Sequence, residues 1–152
     1  MIIDDLRDKA RQLLKDKAVD VIIGYERASD GTSSAPAFIF DEKDAGRLVY
    51  DAYCVYNLAS YLKDFAGRKV GIVAKACDVR SVQVLLQENQ VVRQEIVIIG
   101  VECRGVGDET RLHRTGGNKE DTLAFKEKCR MCESSLPEVY DYLLRAKEEA
   151  HP

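Results

Sequence analysis

The chain of 152 residues has no tryptophan, two histidines, three prolines and no marked excess of either charge. Its 23 basic and 26 acidic residues leave a formal net charge of −3. Without a basic excess there is no electrostatic case for nucleic acid, whose affinity for proteins rests on phosphate neutralisation. No apolar run approaches the roughly 20 residues that span a bilayer, which argues against a membrane. The opening MIIDDLRDKA is acidic where a secretory leader would be basic and then apolar. A cytoplasmic protein is therefore expected. Gly24 and Gly31 form no dinucleotide fingerprint, and Gly116–Gly117 is not followed by the Lys-Ser/Thr of a phosphate loop. His113 stands between arginines with no carboxylate to make it a base. The missing tryptophan excludes nothing.

What is present is ordinary in bulk: 45% apolar and 32% charged residues, the composition of one globular domain over 1–152. Ile3, Leu6, Ala10, Leu13 and Leu14 recur at helical spacing and predict an amphipathic helix over 3–17. VDVIIGY, 19–25, reads as a buried strand, and PAFIFD, 36–41, as a short strand beside it or antiparallel to it. A short helix is expected within 42–49. A longer one is expected over DAYCVYNLASYLKDFAG, with Val55, Leu58, Ala59, Leu62 and Phe65 on one face and Gly67 closing it. KVGIVAKAC is a strand, DVRSVQVLLQENQ a helix capped by Asp78, and EIVIIGVEC a parallel strand. A polar loop covers 104–128, and a helix starting near Pro137 ends the chain. The pattern is α/β: a small layered fold with a mostly parallel, mixed sheet flanked by helices.

The chemistry lies in the cysteines. Cys77 and Cys103 each follow a strand, and a helix joins those strands, so the two thiols are expected on one rim of a parallel sheet, where ligands of such sheets bind. Neighbouring strands lie about 5 Å apart. Cys129 and Cys132 form a Cys-x-x-Cys pair that the polar loop can return to this rim. Four thiolates suit a [4Fe–4S] cluster, one per iron. They suit a four-cysteine zinc site equally well, and a redox disulfide at Cys129–Cys132 or plain buried packing stays open. Helix N–H groups after Cys77 would offset a cluster's negative charge. Lys75, Lys126, Lys128 and Arg130 are further cations nearby, of a kind that is ordinarily solvated. Asp78 and Arg80, flanking Cys77, read as a helix cap and an ion pair, or as groups tuning a bound cluster. Cys54 reads as packed beside the site, with ligation as a fifth thiol the alternative. Tyr50, Tyr53, Tyr56 and Tyr61 read as core or interface.

At these positions the chain resembles the beta subunits of coenzyme F420-reducing hydrogenases and their dehydrogenase relatives. AKACDVRSVQVL is similar to that family's strand ending in cysteine before a helix. VIIGVECRGV matches its second strand-end cysteine, and CRMCESSLPEVYDYL its later Cys-x-x-Cys. The resemblance covers roughly 10–142, and short relatives linked to heterodisulfide-reductase-like modules share the KACDVRS and CVYNLA stretches. It implies that Cys77, Cys103, Cys129 and Cys132 hold a [4Fe–4S] cluster in a subunit that relays electrons to redox partner subunits of an anaerobic complex. Full members also bind a flavin at a glycine-rich first helix and extend well past the Cys-x-x-Cys. DDLRDKARQLL has no glycine, and a single helix is expected after Cys132. An electron relay is thus favoured over a flavin-dependent oxidoreductase subunit. A zinc-containing or metal-free binding module is the remaining alternative, and a homo-oligomer stays open.

Overall fold

A computed structural model of the chain describes residues 2–31, 33–51, 53–103, 129, 132 and 135–145. The expectations for loop 104–128, His113, Gly116–Gly117, Lys126, Lys128, Arg130 and residues 146–152 lie outside the described residues.

Helix α1, Ile2–Lys15, buries Leu6, Ala10, Leu13 and Leu14, one stripe of its surface, and carries Asp4 and Asp5 in the first turn. Strand β1, Val21–Arg27, is buried through its first five positions. Strand β2, Ser34–Ile39, pairs antiparallel with β1. A 3-10 turn over Glu42–Arg47, capped by the Asp41 carboxylate, leads into the two-residue strand β3, Leu48–Val49. Strand β4, Val70–Ala74, is buried at every position, as a strand covered on both faces must be. Helix α2, Ala76–Gln87, crosses over to β5, Ile96–Val101, which runs parallel to β4. Strand β6, Tyr142–Leu144, adds parallel to β5.

The sheet order is β2-β1-β4-β5-β6. Strand β3 pairs with the carboxyl half of β1 at Tyr25 and Glu26, whereas β4 pairs with its amino half at Val21 to Ile23. The result is a mixed sheet, parallel across β1, β4, β5 and β6, with α1 packed on β1 and β3 and α2 on β4 and β5. This is the α/β class the patterning predicts. Its core is aliphatic: Ile22, Ile23, Ile72, Ile98, Ile99 and Leu58 are fully or almost fully buried. Among the described residues no helix is long and apolar enough to cross a membrane.

Three expected elements differ. The helix anticipated over Asp51–Gly67 is a loop followed by a 3-10 helix, Leu58–Phe65, capped by the Asn57 side chain at Ala59 N (3.0 Å). The carbonyls of Cys54 and Tyr56 accept from Lys75 Nζ (3.0 and 3.2 Å), which turns them away from the bonds a helix would need. The cap of α2 is Lys75. Asp78 sits three residues on and accepts from the Lys75 backbone N–H (2.9 Å), the reaching-back half of a capping box. In place of a terminal helix after Pro137, 135–141 form bends and 142–144 are strand. Asp141 explains the change. Its N–H donates to Ile98 O (2.9 Å), and its carboxylate accepts from Ile98 N–H (2.7 Å) and from Arg93 (3.0 Å). These bonds satisfy the edge of β5, which a helix could not do.

Candidate metal centre

The register of β4 and β5 positions the first two thiols. Ala74 pairs with Gly100, and Cys77 and Cys103 each lie three residues beyond that pair. They leave the sheet on adjacent paths at the carboxyl edge, Cys77 in the first turn of α2 and Cys103 just past β5. The second pair is tied to the same edge. The Cys103 N–H donates to Ser135 O (2.8 Å), three residues past Cys132. Three extended residues reach at most about 11 Å, so Cys132 stays within that span of the anchor. Its own N–H donates to Cys129 O (3.2 Å), closing the Cys-x-x-Cys pair into a turn. Downstream, Leu136 and Glu138 line a shallow crevice with Ala76, Val79 and Arg80 of α2. Cys77 and Cys132 are exposed, Cys103 and Cys129 half-buried.

Gly100 is needed for this return path. A Cβ there would stand 2.7 Å from Pro137 Cγ and 3.1 Å from Tyr140 Cβ, inside contact distance. The missing side chain lets Pro137 and Tyr140 lie against β5.

Behind the thiols is a polar network that sequence reasoning did not find. Lys75, expected to be solvated, is 3% exposed. Its ammonium donates to the Tyr25 hydroxyl and to the carbonyls of Cys54 and Tyr56, and pairs with Asp78 Oδ2 at 3.2 Å. The Tyr25 hydroxyl donates in turn to Tyr56 O. Asp78 is fully buried and its Oδ1 lies 3.8 Å from Cys77 Sγ. Burial pushes the Asp78 carboxyl above its ordinary range, against the opposing pull of the Lys75 ammonium and of its hydrogen bonds. The available signal was Tyr25. A tyrosine at the end of a buried strand needs a partner for its hydroxyl, and Lys75 just past the neighbouring strand is within reach.

Two tyrosines, buried Tyr25 and half-buried Tyr50, respond to the thiols. Burial raises Tyr25's ionisation, and charge at Asp78, Cys54, Cys77 and Cys103 raises it further. Tyr50 is raised by burial first, then by Cys103, and by Cys54 and Tyr25. Its hydroxyl donates to Glu102 O (3.0 Å). Cys103 and Cys54 thus act on both phenols, and Cys77 on Tyr25. Cys54 differs from the others. It is fully buried, accepts from Asp51 N–H at 3.4 Å, and is pushed up to about 12, chiefly by burial. Tyr53 is buried and Tyr56 exposed, while Tyr61 packs edge-on against Phe38.

Among the described residues, no three His, Cys, Asp or Glu side chains are grouped to hold a single metal ion. A cubane places a different iron before each thiolate, so its ligands stand farther apart than those of one ion. Thiols at a sheet rim, facing helix N–H groups, are a donor set that suits such a cluster.

No protein-family model matches the chain. It is similar to the F420-dependent formate dehydrogenase subunit beta of Methanocaldococcus jannaschii, 27% identical over 100 residues that cover 62% of this chain and 26% of that protein. Among solved structures it is similar to a chain of the F420-reducing [NiFe] hydrogenase complex from Methanosarcina barkeri. The TM-score is 0.62 and the identity 16%, over 74% of this chain and 43% of that one. The chain thus spans about a quarter of the curated relative and under half of the solved one. Sequence and fold agree: the chain resembles the beta subunits of F420-reducing hydrogenases and dehydrogenases.

Proposed function

We propose that this chain is an iron–sulfur subunit of a hydrogenase- or dehydrogenase-type redox complex, in which Cys77, Cys103, Cys129 and Cys132 hold a [4Fe–4S] cluster. One observation carries the reading. The matched register of β4 and β5 sends Cys77 and Cys103 off the same edge, and the Ser135–Cys103 bond ties the Cys-x-x-Cys turn to it. Two similarities support it, one to a formate dehydrogenase beta subunit and one to a hydrogenase complex chain. Redox partner subunits follow from the same likeness.

Bound at this rim, the cluster would supply storage and transfer of one electron at a time. The chain's own part is electrostatic and steric. The N–H groups at the start of α2 point toward the rim and favour negative charge there. Buried Tyr25 and half-buried Tyr50 lie on the inner side, and the exposed outer side at Cys77 and Cys132 leaves a short path to a docked partner. No residue needs to react covalently.

Anaerobic purification and reconstitution test the reading. The expected result is about four irons per chain and a paramagnetic signal on reduction. Serine at any one of the four cysteines should cost most of the iron. A protein that takes up zinc and no iron would overturn the cluster. A yellow chromophore released on denaturation, without iron, would point to a flavin-binding subunit instead.

A further inference from the structure

Lys75 is the only lysine buried among the described residues, and its position is specific. Loop 53–57 carries Cys54, and its ends are held by side chains: Ser34 Oγ donates to Tyr53 O (2.6 Å), and Asn57 Nδ2 donates to Ser81 Oγ on α2 (2.8 Å). The middle of the loop meets the parallel sheet through the Lys75 ammonium and the Tyr25 hydroxyl, which bond the Cys54 and Tyr56 carbonyls. The same ammonium pairs with Asp78, whose carboxylate accepts from the backbone at the start of α2 and faces Cys77 Sγ. An ammonium has three protons to give, and here they are shared among four acceptors on β1, loop 53–57 and α2.

We infer that Lys75 is a positioning residue: its buried ammonium clamps loop 53–57 onto the first turn of α2, sealing Cys54 from solvent and fixing the direction of Cys77 at the rim. The clamp stands on the contacts alone, and only its effect on the rim rests on the proposed function. A lysine is suited to this role because it bonds two backbone carbonyls, a phenol and a carboxylate from one point. Methionine would fill the space and bond none of them. Lys75→Met alone strands the Asp78 charge in the interior, so the decisive variant is Lys75→Met/Asp78→Asn, which removes both charges.

The test is timed iodoacetamide labelling of the reduced, metal-free full chain, with mass spectrometry to read each cysteine. Exposed Cys132 serves as the internal reference, and exposed Cys77, which faces Asp78, is read beside it. In the wild type Cys54 should label far more slowly than either. In the double variant, with its circular dichroism unchanged, the Cys54 rate should rise at least about tenfold, the equivalent of one lost charged hydrogen bond. Tyr25→Phe, which leaves the ammonium in place, should raise it less. An unchanged Cys54 rate in the folded double variant overturns the clamp. In iron-loaded protein the double variant should also shift the midpoint potential, and an unchanged potential overturns the link to the rim. If the wild type binds no iron, the proposed function fails while the labelling still decides the clamp.

Discussion

The parallel strands end in two different environments. At their carboxyl edge lie all three buried polar side chains among the described residues, Ser34, Lys75 and Asp78, together with the buried Tyr25. At their amino edge Val70 and Ile96 meet Leu62, Phe65 and Val91, and the nearby polar contacts are exposed ones. The Asp20 N–H donates there to Lys69 O and the Lys69 N–H to the exposed Asp20 carboxylate, and Arg93 pairs with Asp141 at a half-open site. Burying charge costs several kcal/mol per ion unless it is fully paired. A chain that bears this cost at one edge only, and brings its cysteines to that edge, has concentrated its polarity where a ligand would sit. The amino edge shows what the sheet looks like where only stability is served.

Substitutions can break or sharpen the contrast. The largest effect is expected for Lys75→Met, which leaves Asp78 buried without its partner and should cost about 3–5 kcal/mol. Urea unfolding measures it, and a loss of the size seen at a surface pair would erase the distinction between the edges. Gly100→Ala should come next. Its Cβ would press on Pro137 and Tyr140, for about 1–3 kcal/mol, read as a lower unfolding midpoint. Arg47→Ala tests the exposed pair with Glu26 and should cost no more than about 1 kcal/mol, less at high salt. The smallest change is expected from pH. With its thiol held up to about 12 by burial, Cys54 stays protonated at neutral and mildly basic pH. In a chain whose other four cysteines are replaced by serine, no thiolate absorbance should develop from Cys54 as the buffer is raised through that range, whereas ionisation there would mean that the loop opens.

Much of the fold was legible because it rests on local patterns. The stripe of α1, the fully apolar β4 and the β4–α2–β5 crossover follow from periodicity and from the length of the connection. The segment around Cys54 was misread as helix because its apolar spacing is helical. What opposes the helix is a lysine twenty-one residues away, and no local window contains it. The strand near the end was hidden in the same way. VYDYLL has strand-like residues, but only the open edge of β5 and the bonds of Asp141 to Ile98 select that form. Lys75 looked like a surface lysine because burial of a charge depends on partners from three other segments.

By itself the sequence determined the class of the fold, the two parallel strands that end in cysteine, and the order of the thiols along the chain. These depend on residues close in sequence, whose side-chain period and turn chemistry act locally. The tertiary structure decided the rest: that Cys77 and Cys103 leave their strands in matched register, and that Ser135 ties the Cys-x-x-Cys turn to Cys103. It also decided that Cys54 is sealed behind a buried Lys75–Asp78 pair. Such features are contacts between distant segments, and their energy exists only when the chain has closed around them.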